Sequence, residues 1–389
     1  MCFDEKDGRF LWQLAVPKRE EDPYFDWPKT GIASSVTVEG NRVYLVNNRG
    51  EVMCLDARGA AGETPSGQSA TNGPAILWRF DLTTGAGIWS HDAAHSSILI
   101  HGDYLYLNTG TGVDNTHKRI RAPDAPSLVV LDKATGRLVA RDDEQIAPRI
   151  FHCTWSSPSL GDVNGRPLLF FAGGDGIVYA FEIARSPAPP GEVQKLKKVW
   201  HFDFDPVAPK EYVHRYNSNR REGPSNIYGM PVFYKSRIYV AGGGDPFWGK
   251  NEAWLKCIDA NGSGDITRSG ERWSYPLERH VMCTAAVRDG LLFIADFGRK
   301  VHCLDAETGK PHWTHEIKGE VWASPLVADG KVYLGTRSGD FWVFAASKEK
   351  RVLSSVELGN PVSATATAAN GVLYVATMTE LYAVRKSRD

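Results

Sequence analysis

The sequence has little of several features that mark common classes of protein. Among 389 residues there are 6 cysteines and 5 methionines, and no run approaches the roughly 20 apolar residues of a membrane span. The 45 Lys+Arg balance 46 Asp+Glu, so the basic excess expected of a nucleic-acid-binding protein is missing. No basic start followed by an apolar run is present, so no signal peptide is predicted within this sequence. A hydrophobic fraction of 42% argues against a disordered chain.

Glycine is abundant, with 38 residues, and many of these lie in short turns that recur along the chain. Five segments place an apolar strand before an acid and a turn: 1–8, 53–59, 129–136, 256–262 and 302–309. Two further strands joined by a tight turn precede most of these, and a fourth strand that often contains Trp follows. A four-stranded unit of about 40 residues, repeated radially, is a β-propeller blade. The sequence therefore predicts an all-β propeller of four-stranded antiparallel blades.

The spacing predicts a single propeller domain over residues 1–389. Its blade repeats fall at approximately 1–14 (partial), 30–82, 94–142, 154–203, 224–277, 280–317, 320–358 and 361–386. The last set has no fourth strand of its own. Two interpretations follow: the strand around Trp12 completes a seven-bladed ring, or the chain is an N-terminally incomplete propeller of an eight-bladed type.

Two segments resemble the pyrroloquinoline-quinone (PQQ) repeat: KVHCLDAETGKPHWTHE at 300–316 and KVYLGTRSGDFWVFAAS at 331–347. The chain as a whole resembles PQQ-repeat-like, quinoprotein alcohol dehydrogenase-like propellers of the BamB-related kind, as found in planctomycete-like bacteria. The resemblance implies a bacterial protein exported to the periplasm, with a leader and a further blade ahead of this sequence. Quinone-dependent dehydrogenases of this fold carry a vicinal cysteine pair and a calcium ion. No two cysteines are adjacent here, so PQQ is disfavoured as a cofactor.

Three recurring residue types are expected to be structural. Cys2, Cys54, Cys257 and Cys303 occupy one position of the third strand and are predicted to be small buried hydrophobes, not disulfides or zinc ligands. The recurring acids are predicted to accept turn N–H groups: Asp56, Asp132, Asp259 and Asp305. The recurring indoles are predicted to pack between blades: Trp12, Trp78, Trp200, Trp273 and Trp313.

The functional surface is predicted on one face of the propeller. That face carries the loops between successive blades and the loops between the second and third strands of each blade. These loops are long and contain His, Arg, Asp, Trp and Tyr, as in WSHDAAHSS, GVDNTHKR and APRIFHCTW. Aligning the innermost strands predicts a first ring of axial residues: Ala33, His95, Trp155, Tyr228, Met282, Trp322 and Ser363. A second ring lies two residues earlier: Gly31, Ala93, Cys153, Asn226, His280, Glu320 and Pro361. Further out the alignment places Asp92, His152, Ser225 and Arg279.

These rings predict a polar axial pocket for a small molecule, carbohydrate above all, because indoles offer an apolar face and Arg offers paired donors. The predicted ligand-binding set is Asp92, His95, Trp155, Asn226, Tyr228, Glu320 and Trp322. The candidate catalytic residues for β-elimination or hydrolysis of an acidic glycan are His152, His280 and Arg279. The candidate ligands of a divalent metal are His95, His152 and His280.

Two other functions stay open at this point. The resemblance to BamB-related proteins implies a non-catalytic scaffold that binds envelope proteins, and a scaffold predicts an exposed apolar patch. A quinone-dependent oxidoreductase is the third interpretation, disfavoured by the missing cysteine pair.

Overall fold

The fold is seen in a computed structural model, which describes residues 1–19, 22, 24–27, 31–59, 73–93, 97–189 and 191–386. The chain divides into two compact units. Unit 1 comprises Met1–Pro158 and Glu182–Lys197, and unit 2 comprises Ser159–Phe181 and Lys198–Asp389.

Unit 1 holds a two-stranded ribbon and two larger antiparallel sheets. The ribbon pairs β1 (Cys2–Phe3) with β2 (Phe10–Trp12). The first large sheet is β3 (Thr37–Glu39), β4 (Arg42–Val46), β5 (Glu51–Asp56) and β6 (Ala75–Asp81), followed by the short helix α1 (Leu82–Ala86). The second is β7 (Leu99–His101), β8 (Tyr104–Asn108), β9 (Leu128–Asp132) and β10 (Leu138–Arg141). A 3-10 turn at Ala147–Arg149 follows, and β14 (Gln194–Lys195) adds in parallel beside β10.

Unit 2 holds five sheets. The first is β11 (Ser159–Val163), β12 (Arg166–Ala172), β13 (Ile177–Glu182) and β15 (Lys198–Asp203), with β19 (Gly264–Asp265) beside β15. The second is β16 (Val232–Tyr234), β17 (Arg237–Gly243), β18 (Ala253–Asp259) and β20 (Glu271–Leu277), preceded by a 3-10 turn at Val213–Tyr216. The third is β21 (Ala286–Arg288), β22 (Leu291–Ala295), β23 (Lys300–Asp305) and β24 (Pro311–Glu316). The fourth is β25 (Leu326–Ala328), β26 (Lys331–Gly335), β27 (Asp340–Ala345) and β28 (Val352–Glu357). The fifth has three strands, β29 (Thr367–Ala369), β30 (Val372–Ala376) and β31 (Leu381–Arg385).

The seven large sheets are the blades of a β-propeller, so the fold class predicted from the repeat is confirmed. The middle strands of a blade are mostly buried and the fourth strand is more exposed. Every residue of β8 is buried, for example, whereas every residue of β28 is exposed. This gradient places the core between neighbouring sheets, where apolar side chains on both faces of the middle strands pack. No helix among the described residues is long and apolar enough to cross a membrane.

The recurring tryptophans join successive sheets through one repeated hydrogen bond. Each indole Nε1–H, on the ribbon strand β2 or on the fourth strand of a blade, donates to a carbonyl just after the third strand of the next blade. The five pairs are Trp12 with Ala57, Trp78 with Lys133, Trp200 with Ala260, Trp273 with Ala306 and Trp313 with Ser347, at 2.9 to 3.2 Å. The prediction that these residues pack between blades is confirmed, and the bond explains why Trp recurs where another large apolar side chain would also fill space.

The recurring acids shape the turns on which these indoles pack. Asp132 Oδ1 accepts the backbone N–H groups of Ala134 and Thr135, as predicted. Gly136 closes the same turn at φ +75°, and a Cβ there would lie 2.5 Å from the Trp78 ring. Glycine is therefore required twice, by the left-handed backbone and by the indole above it.

The recurring cysteines lie directly opposite the tryptophans in the strand register. The pairs are Cys2 with Trp12, Cys54 with Trp78, Cys257 with Trp273 and Cys303 with Trp313. All six cysteines are free thiols; Cys54, Cys257 and Cys303 are buried, as their position in the repeat predicts, whereas Cys2 at the same position is only partly buried. Burial raises the pKa of Cys257 and of Cys303 to about 12, so these thiols are protonated and unreactive at neutral pH.

Candidate functional site

Three histidines from three different loops of unit 1 converge on one point. His91 lies in the loop from β6 to β7, His117 lies between β8 and β9, and His152 lies in the loop that follows β10. These are the two kinds of loop that the sequence predicted to open on the same side. Among the described residues, these three form the group that could hold a metal ion, with one ring nitrogen from each lying within 4.8 Å of the others. We call this group the histidine cluster.

The tautomer of His91 is fixed by its backbone partner. Its Nδ1 atom lies 2.7 Å from the carbonyl oxygen of Val113, and a carbonyl can only accept, so Nδ1 carries the hydrogen. In the neutral ring, Nε2 therefore presents its lone pair. That atom lies 3.2 Å from Nε2 of His152. His91 and His152 are buried, whereas His117 is half-buried, so the cluster is open to solvent on the His117 side.

Aromatic rings surround the cluster. Tyr24 stacks parallel to His91 with centroids 5.8 Å apart and meets His117 edge-on at 4.8 Å. Trp155 contacts His152 edge-on at 4.9 Å. Both Tyr24 and Trp155 keep part of their ring surface exposed. The cluster thus presents imidazole nitrogens beside accessible aromatic faces.

Asp92 supplies a carboxylate at the edge of the cluster. Its Oδ2 atom lies 3.5 Å from Nε2 of His91. Its Oδ1 atom is buried and has no hydrogen-bond partner within the described part of the chain. Burial raises the pKa of Asp92 to about 6, against the opposing attraction of His152. Asp92 and Ala93 both adopt left-handed backbone, at φ +54° and +48°, as does His117 at +58°. Such conformations cost about 1–2 kcal/mol per residue, and they gather at functional sites.

Two guanidinium groups lie on the segments next to the cluster. Arg121, on the same loop as His117, sits 3.7 Å above the ring of Trp89, and Arg19 sits 4.2 Å above Phe25. Phe25 and Trp89 meet edge-on at 5.3 Å. Backbone hydrogen bonds connect these arginines and rings to the histidine cluster. The N–H groups of Asp92 and Ala93 donate to the carbonyl oxygens of Tyr24 and Phe25. The two guanidinium groups share the single carboxylate of Asp22, at 3.7 Å from Arg19 and 3.6 Å from Arg121, so the pair keeps a net positive charge beside the aromatic rings.

In unit 2, the predicted residues Asn226, Tyr228 and His280 contact one another. The Tyr228 ring stacks on His280 at 4.8 Å, its hydroxyl donates to Asp245, and Asn226 Nδ2 donates to the same hydroxyl. His280 is held on both sides: its Nε2–H donates to the Asn226 carbonyl, and its Nδ1 accepts from the Val281 N–H. Burial lowers its pKa to about 4 although Asp245 opposes this. His280 is thus a neutral ring with both nitrogens engaged.

The remaining predicted residues are placed as follows. Trp322 lies under the Arg337 guanidinium at 4.4 Å, and Arg337 also donates to Ser363. Glu320 and Arg279 are exposed. His95 lies outside the described residues. The metal set predicted from His95, His152 and His280 stays a prediction, while the described residues group His152 with His91 and His117.

His91 and His117 were not among the residues predicted from the sequence, although the loops that contain them were predicted to form the functional surface. Both lie outside the strand-start positions on which the ring alignment rested, and loop conformation is not periodic. Unit 1 also has a surface groove lined by residues of the segment 182–197, away in sequence from the histidine cluster. Its lining includes Glu182, Arg185 and Lys197 but no His and no aromatic side chain.

Comparison with known proteins identifies the repeat. Residues 251–388 match the family model described as outer membrane protein assembly factor BamB. The structure is similar to that of BamB from Moraxella catarrhalis, with a TM-score of 0.58 and 16% identity over 90% of this chain and 83% of that one. It is also similar to a europium-containing methanol dehydrogenase, with a TM-score of 0.53 and 14% identity over 88% of this chain and 72% of that one. No curated protein sequence matches the chain.

Sequence identities of 14 to 16% establish that the fold is shared. The chemistry must be inferred from the residues of this chain. The family match covers the last three and a half blades, where the repeat is most regular. The chain is therefore a β-propeller whose residues 251–388 match the BamB family model and whose fold is similar to those of BamB and of a methanol dehydrogenase.

Proposed function

We propose that this protein binds a polar, hydroxyl-rich small molecule, an acidic carbohydrate, at the histidine cluster of unit 1. The observation that carries the proposal is the pair of partly exposed rings, Tyr24 and Trp155, on either side of three imidazoles. Sugar rings pack their apolar faces on aromatic side chains while their hydroxyls need directed polar partners.

The acidic character of the ligand is supported by the neighbouring cations. Arg19 and Arg121 lie against Phe25 and Trp89, on segments that adjoin the cluster. A guanidinium binds a carboxylate through two parallel hydrogen bonds, which selects uronic acids over neutral sugars. Lyase or hydrolase activity on such a glycan is part of the proposal. Its acid–base chemistry would be supplied at the histidine cluster together with the adjacent Asp92, since both nitrogens of His280 are engaged.

The experiment is a calorimetric titration of the protein with uronic-acid oligosaccharides and with neutral ones of equal length. Trp155→Ala removes one ring face, and we expect it to weaken binding at least about tenfold. Trp248→Ala removes an exposed indole outside the cluster and should leave binding unchanged. The absorbance of unsaturated uronate in the ultraviolet separates lyase turnover from binding alone. Equal loss in both variants, or no binding of any uronic oligosaccharide, contradicts the proposal.

A second candidate function is a scaffold for envelope proteins, in a periplasmic location. It is supported by the family match and by exposed apolar side chains on β28, where Val352, Leu353 and Val356 are 43 to 49% exposed. Leu353→Glu should abolish cross-linking to envelope proteins in the native host without changing glycan binding, if the scaffold function holds. Unchanged cross-linking would remove this candidate.

A further inference from the structure

The histidine cluster has the form of a metal centre as well as that of a ligand site. We propose that His91, His117 and His152 each give one ring nitrogen to a divalent transition-metal ion of the zinc class, with Asp92 beside its open position. This inference deepens the proposed function and rests on it only for the role of the ion, since metal binding can be measured alone.

The distances suit a common centre. Ligand atoms placed tetrahedrally about 2.0–2.1 Å from a zinc ion are ~3.3 Å from one another. Nε2 of His91 lies 3.2 Å from Nε2 of His152, which fits this separation, and Oδ2 of Asp92 lies 3.5 Å from the same nitrogen, beside the open position. The nitrogen of His117 lies within the same 4.8 Å group, and His117 is the half-buried member of the three.

The donor set also selects the class of ion. Imidazole nitrogens are preferred by zinc and its neighbours in the first transition row, whereas calcium and magnesium prefer oxygen. Three protein ligands leave one position open for water or a ligand oxygen, which is typical of catalytic and not of structural zinc. Asp92 offsets part of the positive charge of the ion, and its unpartnered Oδ1 can accept from whatever occupies that position.

The surroundings of His91 support the same conclusion. Metal-binding histidines usually donate their second ring N–H to a carbonyl or a carboxylate, which fixes the ring and the tautomer. His91 does this through Nδ1 to Val113 at 2.7 Å. Three non-glycine residues in left-handed backbone also converge here, which a site needs when it must hold ligands from separate loops at set positions.

The test is a calorimetric titration of the chelator-treated full chain with zinc chloride in a non-coordinating buffer. We expect one equivalent to bind. His117→Ala should weaken binding at least about tenfold. Because His117 is half-buried in a loop, this variant should fold even where His152→Ala does not. His101→Ala is the matched control: it removes a half-buried histidine from β7 of the same unit and should change the affinity less than twofold. Less than half an equivalent of zinc, or equal affinity for His117→Ala and wild type, overturns the inference.

Repeating the glycan titration on chelated and zinc-loaded protein separates the two proposals. Glycan binding without any zinc binding overturns the metal centre and leaves the proposed function standing. One equivalent of zinc at the cluster without binding of any uronic oligosaccharide supports the metal centre and overturns the proposed function.

Discussion

Nε2 of His91 and Nε2 of His152 lie 3.2 Å apart although 61 residues separate them in sequence. Two ring nitrogens at this distance can share one hydrogen, or they can bind one ion, as we propose. The propeller brings them together because each lies in a loop that follows the fourth strand of a blade, β6 for His91 and β10 for His152. His117 comes from the loop between β8 and β9 of the second of these blades.

The indole hydrogen bond between blades should carry measurable stability. Trp200→Phe keeps most of the buried apolar surface but leaves the Ala260 carbonyl without its donor. We expect a loss of about 1–3 kcal/mol in the free energy of unfolding, measured by urea denaturation. Trp248→Phe, in an exposed loop, is the control and should change it by less than about 0.5 kcal/mol. Equal effects would mean that the recurring indole bond does not stabilise the fold.

The glycine beneath the indole should be irreplaceable for a steric reason. Gly136→Ala places a Cβ 2.5 Å from the Trp78 ring at φ +75°. Gly165→Ala meets the same backbone strain at φ +81° with no atom within 4 Å. The control should therefore lose about 1 kcal/mol, and Gly136→Ala clearly more, in the same urea experiment. Similar losses would show that the left-handed turn, and not the indole contact, requires glycine.

The pH dependence of stability should contain a contribution from His280. Its pKa is lowered by burial from 6.5 to about 4, so between these values the unfolded chain binds a proton that the folded chain does not. The contribution of His280 to the free energy of unfolding is therefore fully present above pH 6.5 and decreases as the pH falls toward 4. At pH 5 the decrease is about 2 kcal/mol.

His280→Gln should flatten this part of the profile. Asp142 acts in the opposite direction, because burial raises its pKa to about 6 and the folded chain keeps a proton that the unfolded chain loses. The difference between wild type and variant, measured at pH 7 and pH 5, isolates the histidine. A difference that does not depend on pH would show that His280 titrates normally.

The cysteines should react in two classes. Cys2 is partly exposed and the other five are buried, and burial raises the pKa of Cys283 to about 11. A thiol reagent should modify about one cysteine in the native protein and all six after denaturation. Rapid modification of two or more in the native state would contradict the buried position of the repeat cysteines.

The sequence was sufficient for the blades because their geometry repeats. Trp78, Asp132 and Gly136 recur with the third and fourth strands, so their spacing predicts both strands and contacts. The sequence pointed to one member of the histidine cluster, His152, and to its neighbours Asp92 and Trp155, because these residues lie near a strand start. His91 and His117 were missed because their positions depend on left-handed residues within long loops, which no periodic pattern encodes.

The most direct test of the central claim is X-ray absorption at the zinc edge on the zinc-loaded protein in solution. The account predicts three imidazole nitrogens at about 2.0–2.1 Å and one further oxygen ligand, with one imidazole fewer in His117→Ala. A spectrum with sulfur ligands, or one that His117→Ala leaves unchanged, would contradict it.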